Sequence, residues 1–480
     1  MSGGVTSEHG EGPDGRFRLV VVGGGFTGAV LAINAIRASA HRLAIVMVEP
    51  AAELGRGIAY GTRDPAHRIN VPTDRMGLFE ADPTQATRWF HEHSILPDPA
   101  SDAGDGRFYV SRQAYGAFVA DVLRQTVAAA GERVAFEHRR TTASALAHRD
   151  GVWVVTLADG SRVAADLVAL CFGHAVPGLP CPLDAAVRTD RKFVLDPWAP
   201  EALGAIEPSD TVLIVGTGLT MADVVLGLRE KGHRGPITAV SRRGLLPRRH
   251  GSFVSTIDIL DGEAVPTTAL ELLRLIRRRV RRDGPAFGGW HALVDALRFK
   301  LPLIWSHLPP REKKRVLRRL LPFWEVHRFR IAPQVATALD NAMGASTLTV
   351  EKAGLTGLTR SDGGIAASLR PPGGRAESRT FDAVVLCTGP EKDLGANPLV
   401  AALLAEDIAR LDALDLGLAV DAHSHVLDRD GRASSDLLAF GPMTRGSFGE
   451  MTGAPDIAAH IERQATRLFG TGRPADEERR

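Results

Sequence analysis

Gly23-Gly24-Gly25-Phe26-Thr27-Gly28 spell Gly-x-Gly-x-x-Gly directly after the apolar run Phe17 to Val22, and Glu49 follows Gly28 by 21 residues at the end of a second apolar run. The chemistry of that spacing is capture of a diphosphate. Gly23 permits a tight turn, and Gly25 lets a pyrophosphate approach the backbone. Gly28 lets a helix, opened by Phe26 and Thr27, sit close on the strand with its free N–H groups facing the anion. Glu49 is then placed to accept hydrogen bonds from the ribose hydroxyls of an adenosine.

A second turn, Gly216-Thr217-Gly218-Leu219-Thr220-Met221, has Met221 where the third glycine would be. That glycine serves helix and strand contact more than phosphate contact, so an anion site built from Gly216, Gly218, Leu219 and Thr220 remains possible. The next strand ends Ser241-Arg242-Arg243, where a site for NAD would carry Asp or Glu. Guanidinium groups pair with a ribose 2'-phosphate, so this site is expected to take NADPH. Two matching runs, Leu167 to Gly173 and Ala383 to Gly389, each bring a buried strand into a glycine that lets backbone approach a cofactor. Two dinucleotide sites predict one nucleotide held as FAD and one exchanged as NADPH, an arrangement that moves hydride onto a flavin.

The scaffold implied is α/β: two Rossmann-like dinucleotide-binding domains, for FAD and NADP, with a helical insertion. Residues 1–16 read as a disordered tail, 17–200 as the first part of the FAD domain, 210–390 as the NADP domain, and 391–480 as the second part of the FAD domain. Residues 242–330 carry 20 Lys and Arg against 8 Asp and Glu, a balance of +12 in a chain of net charge +2, and mark a basic helical insertion over about 245–335. The 480 residues are 44% hydrophobic and 24% charged, which excludes wholesale disorder, and the small net charge excludes a chain-wide field for nucleic acid or membrane. Residues 19–36 lack charge, but their glycines sit where a strand hands over to a helix, so no membrane span is expected. Cys171, Cys181 and Cys387 show no Cys-x-x-Cys spacing, which argues against a redox dithiol or a structural zinc. No metal site is expected, and a reducing cytoplasm is the default location.

With these blocks in view, the chain resembles the bacterial FAD-NAD(P)-binding flavoproteins, a largely uncharacterised family near the flavin-containing and N-hydroxylating monooxygenases. The resemblance extends through Gly57-Ile58-Ala59-Tyr60-Gly61-Thr62, Asp64 to Pro72, Arg75-Met76, Ser241 to Pro247, Trp324 to Arg330 and Gly441 to Gly446. It implies that Arg56 to Met76 covers the flavin ring, with Asn70 and Val71 at the ring's polar edge, Tyr60 stacking or bonding there, and His67 managing a proton. It also implies close backbone approach at Gly441, where Pro442 departs from the disulfide-reductase pattern of a following acid.

Pro322 and Pro333 bracket Trp324, His327, Arg328 and Arg330. Arg328 is placed to clamp a substrate carboxylate and His327 to act as general acid or base; a structural clasp of Trp and Arg explains the block equally well. The basic helices carry apolar stripes for docking and no interleaved aromatics, so nucleic acid is not an expected partner. The expected activity is that of an FAD-dependent oxidoreductase reduced by NADPH, monooxygenase-like, acting with molecular oxygen on a small organic substrate, anionic ones included. The alternatives are an NADPH-dependent flavin reductase or dehydrogenase that inserts no oxygen, and a non-catalytic nucleotide-sensing protein. Oligomeric state is open.

Overall fold

An apolar strand that ends in glycines can turn sharply into a helix, and β1 (Phe17–Val22) does so into α1 (Phe26–Ala38) before β2 (Leu43–Val48). The computed structural model describes residues 15–173, 177–199, 201–251, 257–389 and 393–470; most of the expected tail, residues 1–14, lies outside them. The Gly-, Pro- and Asp-rich stretch after β2 is largely irregular, as its composition predicts, but holds α2 (Gly57–Tyr60) and α3 (Gln85–Glu92). Helix α4 (Arg112–Ala130), capped by the Ser111 side chain, returns the chain to β3 (Val134–Arg139). An antiparallel meander of β4 (Ala143–Arg149), β5 (Val152–Leu157) and β6 (Arg162–Ala165) precedes β7 (Leu167–Leu170).

The second unit follows α5 (Ala185–Arg188) and β8 (Phe193–Val194) with β9 (Val212–Val215), α6 (Leu219–Glu230) and β10 (Ile237–Ser241). The basic segment forms α7 (Ala269–Asp283), α8 (Trp290–His307), α9 (Pro310–Arg319) and α10 (Leu321–Arg328), and α11 (Pro333–Gly344) follows. Strand β11 (Leu348–Lys352), a meander of β12 (Gly354–Ser361), β13 (Gly364–Arg370) and β14 (Glu377–Phe381), and β15 (Ala383–Leu386) complete that unit. The chain then returns to the first unit through α12 (Pro398–Ala405), β16 (His425–Leu427), β17 (Ala433–Ala439), α13 (Arg445–Phe448) and α14 (Ala454–Phe469).

One sheet has the order β16-β17-β7-β1-β2-β3 and the other β11-β10-β9-β15-β8. In each, the strand that ends in the glycine turn has its successor on one side and a much later strand, β7 or β15, on the other. The strand order therefore reverses at β1 and at β9, which is where doubly wound sheets bind ligands. The second sheet reaches back to Phe193–Val194, ahead of the boundary expected near residue 200.

The basic insertion is docked, as its apolar stripes require. A capping box of Thr268 and Glu271 starts α7, whose Leu272 and Leu275 are buried. Arg279, one of the arginine run, is also buried and donates to the Asp258 and Asp261 carbonyls. Trp305 of α8 donates to the Gly446 carbonyl at 2.9 Å, and Arg298 and Arg328 both reach Asp456 in the first turn of α14. Among the described residues no helix is long and apolar enough to cross a membrane.

Candidate functional site: two glycine turns at the sheet switch points

The two turns are built alike. Gly23 has φ +102° and Gly216 φ +120°, conformations that cost a side-chain-bearing residue strain. Val22 O accepts from Cys171 N at 2.7 Å, and Val215 O from Cys387 N at 2.7 Å, so a later strand clamps each turn at the same point. A Cβ on Gly23 would come 2.7 Å from Phe172 N, and one on Gly216 would collide with the Cys387 carbonyl. Burial pushes both thiols well above their ordinary range, so Cys171 and Cys387 are core groups and not thiolates.

In the first turn a Cβ on Gly28 would run into the Gly23 carbonyl, which is the close helix-on-turn contact the sequence requires. Met221, at the corresponding place in α6, is fully buried instead. Helices α1 and α6 begin at Gly25 and Gly218, neither of which caps its helix with a side chain, so the first-turn N–H groups of Phe26, Thr27, Leu219 and Thr220 remain for an anion. Nothing stands within 4 Å of a Cβ built on Gly218, so that cradle is open. Glu49 accepts from Gly24 N at 2.8 Å and from Ala51 N at 3.0 Å, which fixes the carboxylate at the mouth of the first turn with lone pairs to spare for ribose hydroxyls. These features fit a dinucleotide diphosphate at each turn.

Of the other expected residues, Gly57, Gly441 and Tyr60 meet the first turn or the helix it opens, whereas the contacts of Asn70 and Val71 lie elsewhere. Gly57 lies against Gly25, Gly441 (φ +82°) lies against Thr27, and Gly173 follows β7 beside β1 with open space around it. Arg56, which precedes α2, donates to the Gln113 carbonyl at 3.1 Å and pairs with Glu53. Tyr60 packs its ring 5.7 Å from Phe26 and 4.7 Å from Tyr115, and burial pushes its phenol up to about 12. Asn70 gives its carbonyl to His250 Nε2 at 2.8 Å, and Val71 is half-buried against the core.

At the second turn the Thr217 and Ser241 hydroxyls share a 2.8 Å hydrogen bond, and Ser241 Oγ also accepts from Gly244 N. Arg242 is exposed just past β10. Arg243 lies 5.1 Å over the Phe323 ring of α10, so it is partly engaged with the insertion. Gly389 (φ +82°) follows β15 beside β9, as Gly173 follows β7 beside β1.

The remaining candidates lie away from the turns. His67 is buried, with Nδ1 2.8 Å from Thr62 Oγ1 and its ring 5.3 Å from that of Trp198. Its Nε2 faces Gly227, about 12 Å along α6 from the helix start at the helical rise per residue. Beside it Arg112 pairs with the buried Asp223 at 2.7 Å, a seam between the two units that no local pattern in the sequence announces. Arg328 is buried and donates to Asp456 at 2.7 Å, while His327 bonds the Phe323 carbonyl and stands edge-on to Trp290. Asp436 of β17 accepts from the Trp153 indole at 2.9 Å, which commits it to holding the β4–β6 meander.

Two buried histidines give the fold an acid weakness. Burial holds His250 and His460 down to about 4, whereas the unfolded chain binds those protons near the ordinary histidine value. The unfolded state then holds more protons between the two values, so stability falls with falling pH by about 1–2 kcal/mol per histidine from about pH 7 to about pH 5. The thermal midpoint should drop over that range, and drop less in His460→Asn; an unchanged midpoint would show that neither group is held neutral.

Residues 20–175 match the family described as FAD-NAD(P)-binding. An L-aspartate N-monooxygenase (nitrosuccinate-forming) of Streptomyces cremeus is 31% identical over 141 residues, which is 28% of this chain and 21% of that protein, so the match spans about a fifth of its length. Among solved structures, the ornithine N-hydroxylase of Kutzneria sp. 744 superposes with TM-score 0.63 at 15% identity, over 94% of this chain and 99% of that one. L-lysine 6-monooxygenase of Pseudomonas syringae gives TM-score 0.61 at 18% identity, over 95% and 98%. Residues 20–175 thus match the FAD-NAD(P)-binding family model, and the chain shares its overall fold with these N-hydroxylating flavoproteins.

Proposed function

We propose that this chain is an NADPH-dependent flavin monooxygenase that oxygenates the nitrogen of a small amine. The observation that carries the reading is the pair of like-built glycine turns, each at the switch point of its own sheet, with an acid at the mouth of the first and an arginine at the mouth of the second. In this reading Gly23 to Gly28 and Glu49 hold FAD, the loop from Arg56 to Val71 and Gly441 border its ring, and Gly216, Gly218, Ser241 and Arg242 hold NADPH. A bound flavin reduced by NADPH supplies the electron pair with which molecular oxygen is activated. The protein's task is to hold the substrate dry and in line.

The names of the similar proteins, acting on aspartate, ornithine and lysine, support an amine as substrate. Tyr60 and His67 then serve the scaffold, Tyr60 as an aromatic wall and His67 as part of the seam with α6. A substrate carrying an anionic group and a cytoplasmic location complete the proposal. Turnover of FAD-loaded protein with NADPH, a panel of amino acids and isotopically labelled oxygen tests it. Label in an N-oxygenated product is the expected result. Substrate-stimulated NADPH consumption without label in any product favours a reductase or dehydrogenase, and stable yellow protein that NADPH never bleaches favours a nucleotide sensor.

A further inference from the structure

Between the end of β17 and the start of α14, two buried charged side chains keep polar atoms that no described residue satisfies. Glu450 is 7% exposed, and neither of its carboxylate oxygens accepts a hydrogen bond. Arg328 is 8% exposed, and its Nε has no acceptor. The two approach each other, Arg328 Nη2 lying 3.3 Å from Glu450 Oε1, but that nitrogen donates to Asp456 Oδ2 at 2.7 Å. Asp456 Oδ1 in turn accepts both Nε and Nη2 of Arg298, at 2.8 and 2.5 Å. Asp456 thus collects hydrogen bonds from two guanidinium groups while Glu450 receives none.

A buried carboxylate whose one ion pair is a 3.3 Å approach to an arginine committed elsewhere is costly, because it has lost water and gained no hydrogen bond in exchange. Burial accordingly pushes the Glu450 carboxyl up, against the opposing pull of Arg328. A chain that needed only to fold would do better with an apolar residue there.

The position of Glu450 suggests what it is for. Strand β17 runs parallel to β7, and β7 parallel to β1, so the end of β17 lies at the same sheet edge as the Gly23 turn. Gly441, just past β17, touches Thr27 at the start of α1. Helices α8 and α10 of the insertion close over this edge through Arg298 and Arg328. Glu450 therefore sits between the edge that carries the first nucleotide turn and the insertion that roofs it.

We propose that Glu450 is the anionic seat for a positively charged nitrogen of the substrate, held in place by the Arg328–Asp456–Arg298 clasp behind it. The proposal rests on the amine-oxygenating reading above and adds to it the residue that selects a cationic group. Arg328 Nε is the matching donor for an oxygen on the same molecule.

Calorimetric titration of FAD-loaded protein with L-aspartate, L-ornithine, L-lysine and putrescine, each beside its N-acetyl counterpart, tests the idea without turnover. At least one free amine should bind, its N-acetyl form should not, and Glu450→Gln should weaken binding by about 30- to 100-fold, the usual worth of a buried charge-assisted hydrogen bond. Glu450→Asp, which withdraws the carboxylate by one methylene, should fall between. Thermal unfolding of Glu450→Gln should occur at the same or a higher temperature than wild type, whereas Asp456→Asn, which strips two arginines, should lower it. Equal binding by Glu450→Gln and wild type, binding of the N-acetyl forms, or no binding by any free amine would overturn the proposal. Glu450-dependent binding without an oxygenated product would sink only the monooxygenase reading. An oxygenated product formed with unchanged KM in Glu450→Gln would sink only the role of Glu450.

Discussion

Gly28→Val is expected to give a colourless protein whose affinity for FAD is lower by at least about 100-fold, the worth of roughly 3 kcal/mol. Residues Phe26 to Ile36 of α1 are all buried, between the parallel sheet on one side and α4 and α14 on the other, so the helix has no free direction in which to shift. A side chain at residue 28 would meet the Gly23 carbonyl at once and also approach Val21. The helix would have to lift from the turn, and its first N–H groups would no longer converge with the turn backbone on one phosphate site. Overpacking of this kind also lowers stability by about 1–3 kcal/mol, so the variant needs a folding check by circular dichroism beside its flavin absorbance. Full flavin content in a folded Gly28→Val protein would show that the first turn is not the FAD site.

Arg242→Ala should raise KM for NADPH by about 30- to 100-fold and leave KM for NADH within a factor of about two, measured as the initial rate of nucleotide oxidation. The contrast follows from charge. Arg242 is exposed beside the second turn, where a ribose 2'-phosphate would lie, and NADH has no such group. Arg243→Ala should have the smaller effect, because that guanidinium already rests on Phe323 and reaches the Arg318 carbonyl. Equal losses for NADPH and NADH in Arg242→Ala would mean that Arg242 acts on the fold and not on the phosphate.

Features that depend on neighbours within a few residues could be read from the sequence. Both glycine turns, the strands they end and the helices they open are local; Met221 is buried in α6, at the place where Gly28 permits close approach in α1. The short polar strands β14 and β16 are not legible, since Glu377 to Phe381 and His425 to Leu427 alternate too briefly to show a period. Arg279 belongs to a run of arginines, yet its spacing of seven from Leu272 and four from Leu275 places it on the buried side of α7, a signal legible in the sequence.

The site beyond the turns depends on long-range pairing and was not legible. His250 reaches Asn70 across 180 positions, Arg112 reaches Asp223 across 111, and Arg328 reaches Asp456 across 128. Glu450 sits in an ordinary loop with no motif around it, and only its burial without a hydrogen bond sets it apart. Arg328 could be read from the sequence either as a substrate clamp or as a clasp. The fold gives it a clasp partner in Asp456 and leaves its Nε without an acceptor among the described residues, close to the equally unmet Glu450.

The central claim is that one chain holds a flavin and a nicotinamide nucleotide in two separate turns that serve a common space. Anaerobic mixing of purified, FAD-loaded protein with NADPH, and separately with NADH, followed at the flavin absorbance band, tests it most directly. The account predicts rapid bleaching by NADPH, slower bleaching by NADH at equal concentration, and return of the colour when air is admitted. Protein that retains no FAD, or yellow protein that neither nucleotide bleaches, would contradict it.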